Sequence, residues 1–425
     1  MKKSILVITV LVFSGLSVFA SNPVAVARWS QNSRDLKNCN WKNGGALPSE
    51  DGNGSFSFVG TDPELGIAQK IQSVAVSNIF SGDYFLFTLK VGKLPKGSQI
   101  DFATSMGVLS AGAPEKWICE VFDGKKWCSD GPDCQFTLKH YEKTNPTTYL
   151  HSFILKKACK KEVKVRLRCL ESSSDPKTEV LFLYYPWVTA YLAAFTEPAK
   201  DVTKAVFLGN SFTFFGGSFV AFHEIAMSQG HRVDMNINLK GGQQFGQHLR
   251  LERSMDAVNA GGYQIAVLQN LSRSASLYDK DPVENAAFLD DAVTLADKVR
   301  ASSPGCRVIL ERTWAFAGKD GSWLGYGNAE DFDAALARGS KLIGEAMGAE
   351  VSPIGEAFIL ARERDLPVYF KDNFHQGFLG AYLKACVNYL FIFHEPFSGE
   401  VSDFGLPADQ AAECRRIATS VVLGN

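Results

Sequence analysis

The chain has 425 residues, of which 46% are hydrophobic and 21% charged, with 44 Lys and Arg against 45 Asp and Glu. A formal net charge of −1 excludes the strongly basic footprint of most nucleic-acid binders. Its 12% aromatic content excludes global disorder, and the length suggests two or three domains on a prior of about 150 residues each.

In chain order, the first element does not belong to the folded body. Lys2 and Lys3 precede an apolar run from Ile5 to Phe19, and Val18 and Ala20 stand where a signal peptidase reads small residues. This predicts a signal peptide over residues 1–20 and an exported chain, periplasmic or extracellular. No later apolar run is long enough to span a bilayer, so no stable membrane insertion is expected.

Residues 21–197 read as an all-β sandwich, jelly-roll-like. Short β-branched or aromatic runs such as Tyr84–Leu89 and Lys161–Leu170 are separated by turn signals, including Ser81-Gly82-Asp83 and Asp123-Gly124. The glycine-rich opening from Lys42 to Ser55 suggests no regular element. Cys39, Cys119, Cys128, Cys134, Cys159 and Cys169 crowd this exported half and predict disulfides, with no pairing singled out. A zinc site at Cys119, Cys128 and Cys134 would need a short C-x-x-C pair, which is absent. Alternation puts Lys164, Arg166 and Arg168 on one strand face, read as a solvated face, with an acidic glycan as the functional alternative. Tyr184, Tyr185, Trp187 and Tyr191 either pack the sandwich against the second half of the chain or stack on sugar.

Beyond Pro198 the period changes. Strands are predicted at Ala205–Leu208, Val233–Leu239, Ile265–Leu268, Val308–Leu310 and Val351–Ile354, with helices over Ser218–Gln229 and Pro282–Ala301. Alternating strand and helix over 201–425 predicts a parallel sheet between helices. Cys306, Cys386 and Cys414 read as small buried hydrophobes here. Charge divides at the same boundary, with 22 basic against 18 acidic residues in 21–200 and 20 against 27 in 201–425.

In such a sheet, reactive groups gather at the carboxyl ends of strands. The first strand ends in Leu208-Gly209-Asn210-Ser211, which sets a serine where the chain leaves the sheet. A nucleophilic serine needs a base and a group to orient that base. Asp372-Asn373-Phe374-His375 supplies both at a spacing that lets the carboxylate reach Nδ1 and leaves Nε2 for a hydroxyl. A helix-capping Ser and a surface His are the bland alternative.

These blocks carry a resemblance. Residues 201–425 resemble the SGNH hydrolases, the GDSL-like esterases and deacetylases, through Gly209-Asn210-Ser211 and Asp372-x-x-His375. The resemblance implies a flavodoxin-like three-layer α/β/α hydrolase domain with Ser211, His375 and Asp372 as catalytic residues. It implies an oxyanion hole from the N–H groups of Ser211 and Gly242, the latter in Lys240-Gly241-Gly242, plus an amide side chain. The family's usual G-x-N-D block is replaced by Val267-Leu268-Gln269-Asn270, so Gln269 is the first candidate for that amide and Asn270 the second. A branch of secreted bacterial SGNH proteins with a V-L-Q strand end is similar, also through Gly242-x-x-Phe245-x-x-His248 and Pro353-Ile354-Gly355-Glu356-Ala357. Gln376 stands where many relatives carry Pro. Asn210, His248, Trp314 and Trp323 are candidate pocket residues, His248 being equally readable as a packed core histidine. The aromatic, Gly-rich segment Trp314–Tyr326 reads as a lid or as a long surface loop.

The expected activity is removal of O-acyl groups, O-acetyl first, from a carbohydrate, without metal or organic cofactor. The expected partner is an acylated carbohydrate or another small ester. The alternatives are a vestigial hydrolase that only binds glycan, or a lipase or thioesterase acting on longer acyl chains.

Overall fold

The computed structural model describes residues 25–29, 41, 44–68, 73–108, 111–129, 134–138, 147–178, 180–191, 202–318 and 323–424. The predicted signal peptide, Cys39, Gly321 and the side chains of Tyr184, Tyr185 and Tyr191 lie outside the described residues.

The first part is a sandwich of two antiparallel sheets. One runs in the order Thr147–Ile154, Gln99–Val108, Val180–Tyr191, Ser73–Ser77, Glu64–Ala68, with Ala25–Arg28 also paired to Val180–Tyr191. The other runs Gln135–Thr137, Lys116–Phe122, Glu162–Cys169, Tyr84–Lys90, Gly54–Val59, Leu47–Pro48, with Trp127–Cys128 on Lys116–Phe122. Strand periodicity explains the packing, since successive side chains face opposite sides. Along Glu162–Cys169, Val163, Val165, Leu167 and Cys169 are buried while Lys164, Arg166 and Arg168 remain partly exposed. The inward faces meet in an aromatic core that includes Phe56, Phe85, Phe87, Phe102 and Trp117, where Phe56 and Phe87 stack at 4.7 Å.

The Gly-rich opening does hold regular structure. Leu47–Pro48 pairs with Gly54–Val59 because the Ser49 hydroxyl and backbone staple the intervening turn to Gly54. Nor is the basic face a free cationic surface. Arg166 and Arg168 converge on Glu120 at 2.8 and 2.9 Å, and Arg166 lies 4.3 Å from the Trp127 ring centroid.

The second part is the three-layer α/β/α unit expected. Its parallel sheet has the spatial order Arg232–Leu239, Val202–Gly209, Ile265–Leu268, Arg307–Glu311, Glu350–Ser352. Numbered along the chain, this is 2-1-3-4-5, the flavodoxin-like order, which leaves a switch point between the first and third strands. The central strands read as continuous apolar runs, Ala205–Leu208 and Ile265–Leu268, because helices cover both faces. Two boundaries move inward. The helix predicted from Pro282 begins at Ala286, after a turn in which Asp281 Oδ1 accepts the N–H groups of Val283 and Glu284. The last strand ends at Ser352, and Ile354 opens the next helix instead.

Disulfides expected in the first half are not formed among the described residues. Cys119, Cys128, Cys134, Cys159 and Cys169 form no disulfide, nor do Cys306, Cys386 and Cys414. Cys119, Cys134 and Cys169 fill inward-facing positions of the sandwich, and burial pushes the Cys169 thiol up to about 12. Among the described residues no helix is long and apolar enough to cross a membrane. Denatured without reductant, the protein should therefore expose at least eight thiols to a disulfide-exchange reagent; a lower count would mean that bridges form in solution.

Candidate active site

The first parallel strand delivers its polar cargo at the switch point. Asn210 caps the four-residue helix Ser211–Phe214, its Oδ1 accepting the Phe212 N–H at 3.1 Å. Its Nδ2 donates to the carbonyls of Gln243 at 2.9 Å and Asn270 at 3.0 Å, tying together the loops after the first three strands. Asn210 is thus the helix cap, and Ser211 is the first helical residue, whose N–H has no acceptor within its own helix.

His375 reaches this serine from the loop before the helix Phe378–Phe393. The loop is shaped by Asp372, whose Oδ1 accepts the N–H groups of Phe374 at 3.1 Å and His375 at 3.0 Å, and by Asn373 in left-handed conformation, φ 64°. The other carboxylate oxygen lies 2.7 Å from His375 Nδ1, and His375 Nε2 lies 2.7 Å from Ser211 Oγ. Burial raises the Asp372 pKa, but the His375 hydrogen bond and the two backbone N–H groups outweigh it and hold the carboxyl below its ordinary value. An ionised carboxylate only accepts, so the proton of a neutral His375 sits on Nδ1 and Nε2 accepts from the serine hydroxyl. Phe215 stacks on the imidazole at 4.3 Å, and Phe374 lies against it. Ser211, His375 and Asp372 are thus brought into one hydrogen-bonded chain at the switch point of the 2-1-3-4-5 sheet. In fold, this part of the chain is SGNH-hydrolase-like.

The other candidates separate. Gly242 lies in the loop after the second strand with φ 69°, and no described hydrogen bond takes its N–H. Gln269 is turned into the scaffold. Its Oε1 accepts the Asn210 N–H at 3.0 Å and the Thr213 hydroxyl at 3.1 Å, and its Nε2 donates to the Asn270 carbonyl. Asn270 Oδ1 accepts the Phe245 and Leu271 N–H groups, which leaves its buried Nδ2 without a partner. His248 is fully buried, with Nε2 3.2 Å from the Gly209 carbonyl and Nδ1 2.8 Å from Ser254 Oγ. It is a packed core histidine. Trp314 does not line a pocket either, being buried between Phe358 at 4.1 Å and Phe212 at 4.6 Å, with Nε1 donating to the Phe374 carbonyl. Trp323 donates to the Phe316 carbonyl at 2.8 Å, folding the aromatic loop on itself. Among the described residues no three His, Cys, Asp or Glu side chains are grouped as metal ligands.

Two residues take supporting roles that the motifs do not assign. Gln376 Nε2 donates to the carbonyls of Phe212 at 3.0 Å and Phe215 at 2.8 Å, joining the histidine loop to the serine helix. Lys384 Nζ donates to the same Phe212 carbonyl at 2.8 Å and to Glu311 Oε2 at 2.6 Å, while Asn388 holds the other Glu311 oxygen at 2.7 Å. Burial pulls the Lys384 pKa down, against the opposing pull of Glu311. The available signal is a lone Lys within the apolar run Phe378–Phe393.

No protein-family model matches the chain, and no curated protein matches it. Solved structures similar to it include a DUF4886 family protein from Bacteroides uniformis, at 17% identity and TM-score 0.45, covering 52% of this chain and 95% of that one. Another is an active-site mutant of a family two carbohydrate esterase from Clostridium thermocellum, at 11% identity and TM-score 0.30, covering 78% of this chain and 96% of that one. A third is a catalytic mutant of an acetylxylan esterase from Geobacillus stearothermophilus, at 15% identity and TM-score 0.33, covering 46% and 94%.

Burial of neutral His248 gives a pH dependence with a definite sign. Its pKa is lowered from 6.5 to about 4, so the unfolded chain binds the extra proton between those values. The contribution is complete above pH 6.5 and is lost as pH falls toward about 4, by of the order of 3 kcal/mol. Denaturation midpoints measured across that window should fall with acidity, and His248→Gln, which keeps a donor toward Gly209, should make the slope shallower, leaving the share of His223, which burial also lowers to about 4.

Proposed function

We propose that the chain is an exported serine esterase that removes O-acyl groups, O-acetyl first, from a carbohydrate. The observation that carries the reading is the unbroken hydrogen-bonded chain from Ser211 Oγ through His375 to Asp372, each link 2.7 Å. In the proposed reaction His375 takes the Ser211 proton as the hydroxyl attacks the ester carbonyl, and Asp372 stabilises the resulting imidazolium. The N–H groups of Ser211 and Gly242 and the Asn270 amide receive the developing oxyanion. Asn270 is preferred to Gln269 because only its amide nitrogen is free of a partner. Protonated His375 then returns its proton to the leaving alcohol, and water, activated by the same imidazole, releases the acid. Export rests on the predicted signal peptide, and carbohydrate rests on the β-sandwich joined to the esterase fold.

Hydrolysis of short-chain p-nitrophenyl esters is the direct test. Ser211→Ala should abolish turnover above the oxyanion-hole background; wild type no faster than Ser211→Ala would leave a glycan-binding protein without catalysis. Asn270→Ala should lose about 100- to 1,000-fold in kcat, and a larger loss in Gln269→Ala would move the oxyanion donor to Gln269. Acetate release from acetylated xylan, sialoglycan and peptidoglycan identifies the polymer, and preference for long acyl chains would point to a lipase instead.

A further inference from the structure

The sandwich contributes more than an adjoining surface. Its strand Val180–Tyr191 pairs with Gln99–Val108 through register shifts between Phe182 and Tyr184 and between Tyr184 and Trp187. Pro186 in the second irregular stretch has no N–H to give to a ladder. Such irregularities bend a strand and re-aim its side chains. Trp187, next in line, leaves the sandwich core and is buried, 2% exposed, in the apolar core of the α/β unit together with Val26 and Ala103.

Its indole meets both arms of the candidate site. On one side lies Gly217, six residues after Ser211, at φ 77°; a Cβ there would stand 2.6 Å from the Trp187 ring. A Cβ on Gly216, at φ 64°, would in turn stand 2.8 Å from the Gly377 carbonyl oxygen and from Ala381 Cβ, at the start of the helix that follows His375. On the other side lies Phe378, three residues after His375, with its ring centroid 5.8 Å from that of Trp187. Phe404 stacks on the indole at 4.5 Å and 13°. Arg28, the cross-strand neighbour of Trp187, sets its guanidinium 3.9 Å from the Phe378 ring centroid and is held by Asp51 at 3.3 Å.

We infer that Trp187 is a positioning residue for the esterase site, by which the β-sandwich sets the distance between the serine turn and the histidine loop. This rests on the reading of Ser211, His375 and Asp372 given above. The physical reason is that both arms are short, glycine-hinged segments. Gly216 and Gly217 follow the serine helix and Gly377 follows Gln376, so beyond the Asp372 and Gln376 hydrogen bonds each arm runs on into backbone with glycine's conformational freedom. A ring wedged against both closes that freedom, and reacting groups displaced by about 1 Å can lose about 100-fold in rate.

The test uses the full-length protein with Trp187→Ala and Trp187→Phe, at a temperature where circular dichroism shows each variant folded. Two quantities are read: kcat and KM on p-nitrophenyl acetate, and the low-field proton resonance of His375 Nδ1, which reports its hydrogen bond to Asp372 without requiring turnover. Trp187→Ala should lower kcat by about 10- to 100-fold with little change in KM, and should shift or broaden the resonance. Trp187→Phe, which keeps a ring against Gly217, should restore most of both. If Trp187→Ala does not fold, Trp187→Leu serves for the same two readings. A folded small-side-chain variant with an unchanged resonance and unchanged kcat overturns the inference. A resonance that responds to Trp187 in a protein without Ser211-dependent hydrolysis overturns the esterase reading and leaves the coupling standing.

Discussion

The candidate site depends on holding the carbonyl groups of a helix too short to hold itself. Ser211–Phe214 is a single turn, and one turn fixes more backbone than its own hydrogen bonds repay. Its stability comes from outside. Asn210 caps the amino end, Gln376 donates to the carbonyls of Phe212 and Phe215, and Lys384 donates to that of Phe212. Because Gln376 follows His375 directly, the same amide that satisfies the serine helix also pins the histidine. Satisfying buried backbone groups and aligning the Ser211–His375 hydrogen bond are here one requirement.

That arrangement places an ion pair beneath the site. Lys384 and Glu311 are both almost fully buried, and each is further satisfied, Lys384 by the Phe212 carbonyl and Glu311 by Asn388. A buried pair adds little net stability, because desolvation opposes its Coulomb gain, while loss of one partner leaves a stranded charge. Its evident contribution is geometric. It anchors the helix Phe378–Phe393 to the strand Arg307–Glu311 and to the serine turn at once.

Legibility tracks the range of the interaction concerned. The sheet strands are readable because an apolar run buried on both faces has few other outcomes, and Ile265–Leu268 stands at its predicted limits. The helix starting at Ala286 departs from its predicted amino end because Asp281 makes a side-chain turn that periodicity does not register. Sequence spacing can propose Ser211 with Asp372-x-x-His375. It puts Gln269 before Asn270 as the amide donor, but which amide nitrogen is already occupied depends on packing: Gln269 Nε2 donates to the Asn270 carbonyl, while Asn270 Nδ2 has no partner. His248, open to two readings in sequence, is closed by full burial against the Gly209 carbonyl. Trp314 reads as a pocket residue in sequence because aromatic loops often shape pockets; here its ring packs against Phe212 and Phe358.

What is local or periodic follows from the order of residues alone: a β-rich half, an α/β half with a parallel sheet, and a serine and a histidine–aspartate block placed for the sheet's carboxyl edge. Tertiary structure decided what depends on packing between distant segments. It brought Ser211 within 2.7 Å of a histidine 164 residues away, spent Gln269 on the scaffold, and turned Trp187 out of the sandwich against two glycine-hinged arms. The reason is physical. Periodicity encodes which face of an element is buried, whereas hydrogen-bond occupancy and ring-to-backbone fit exist only once the surfaces meet.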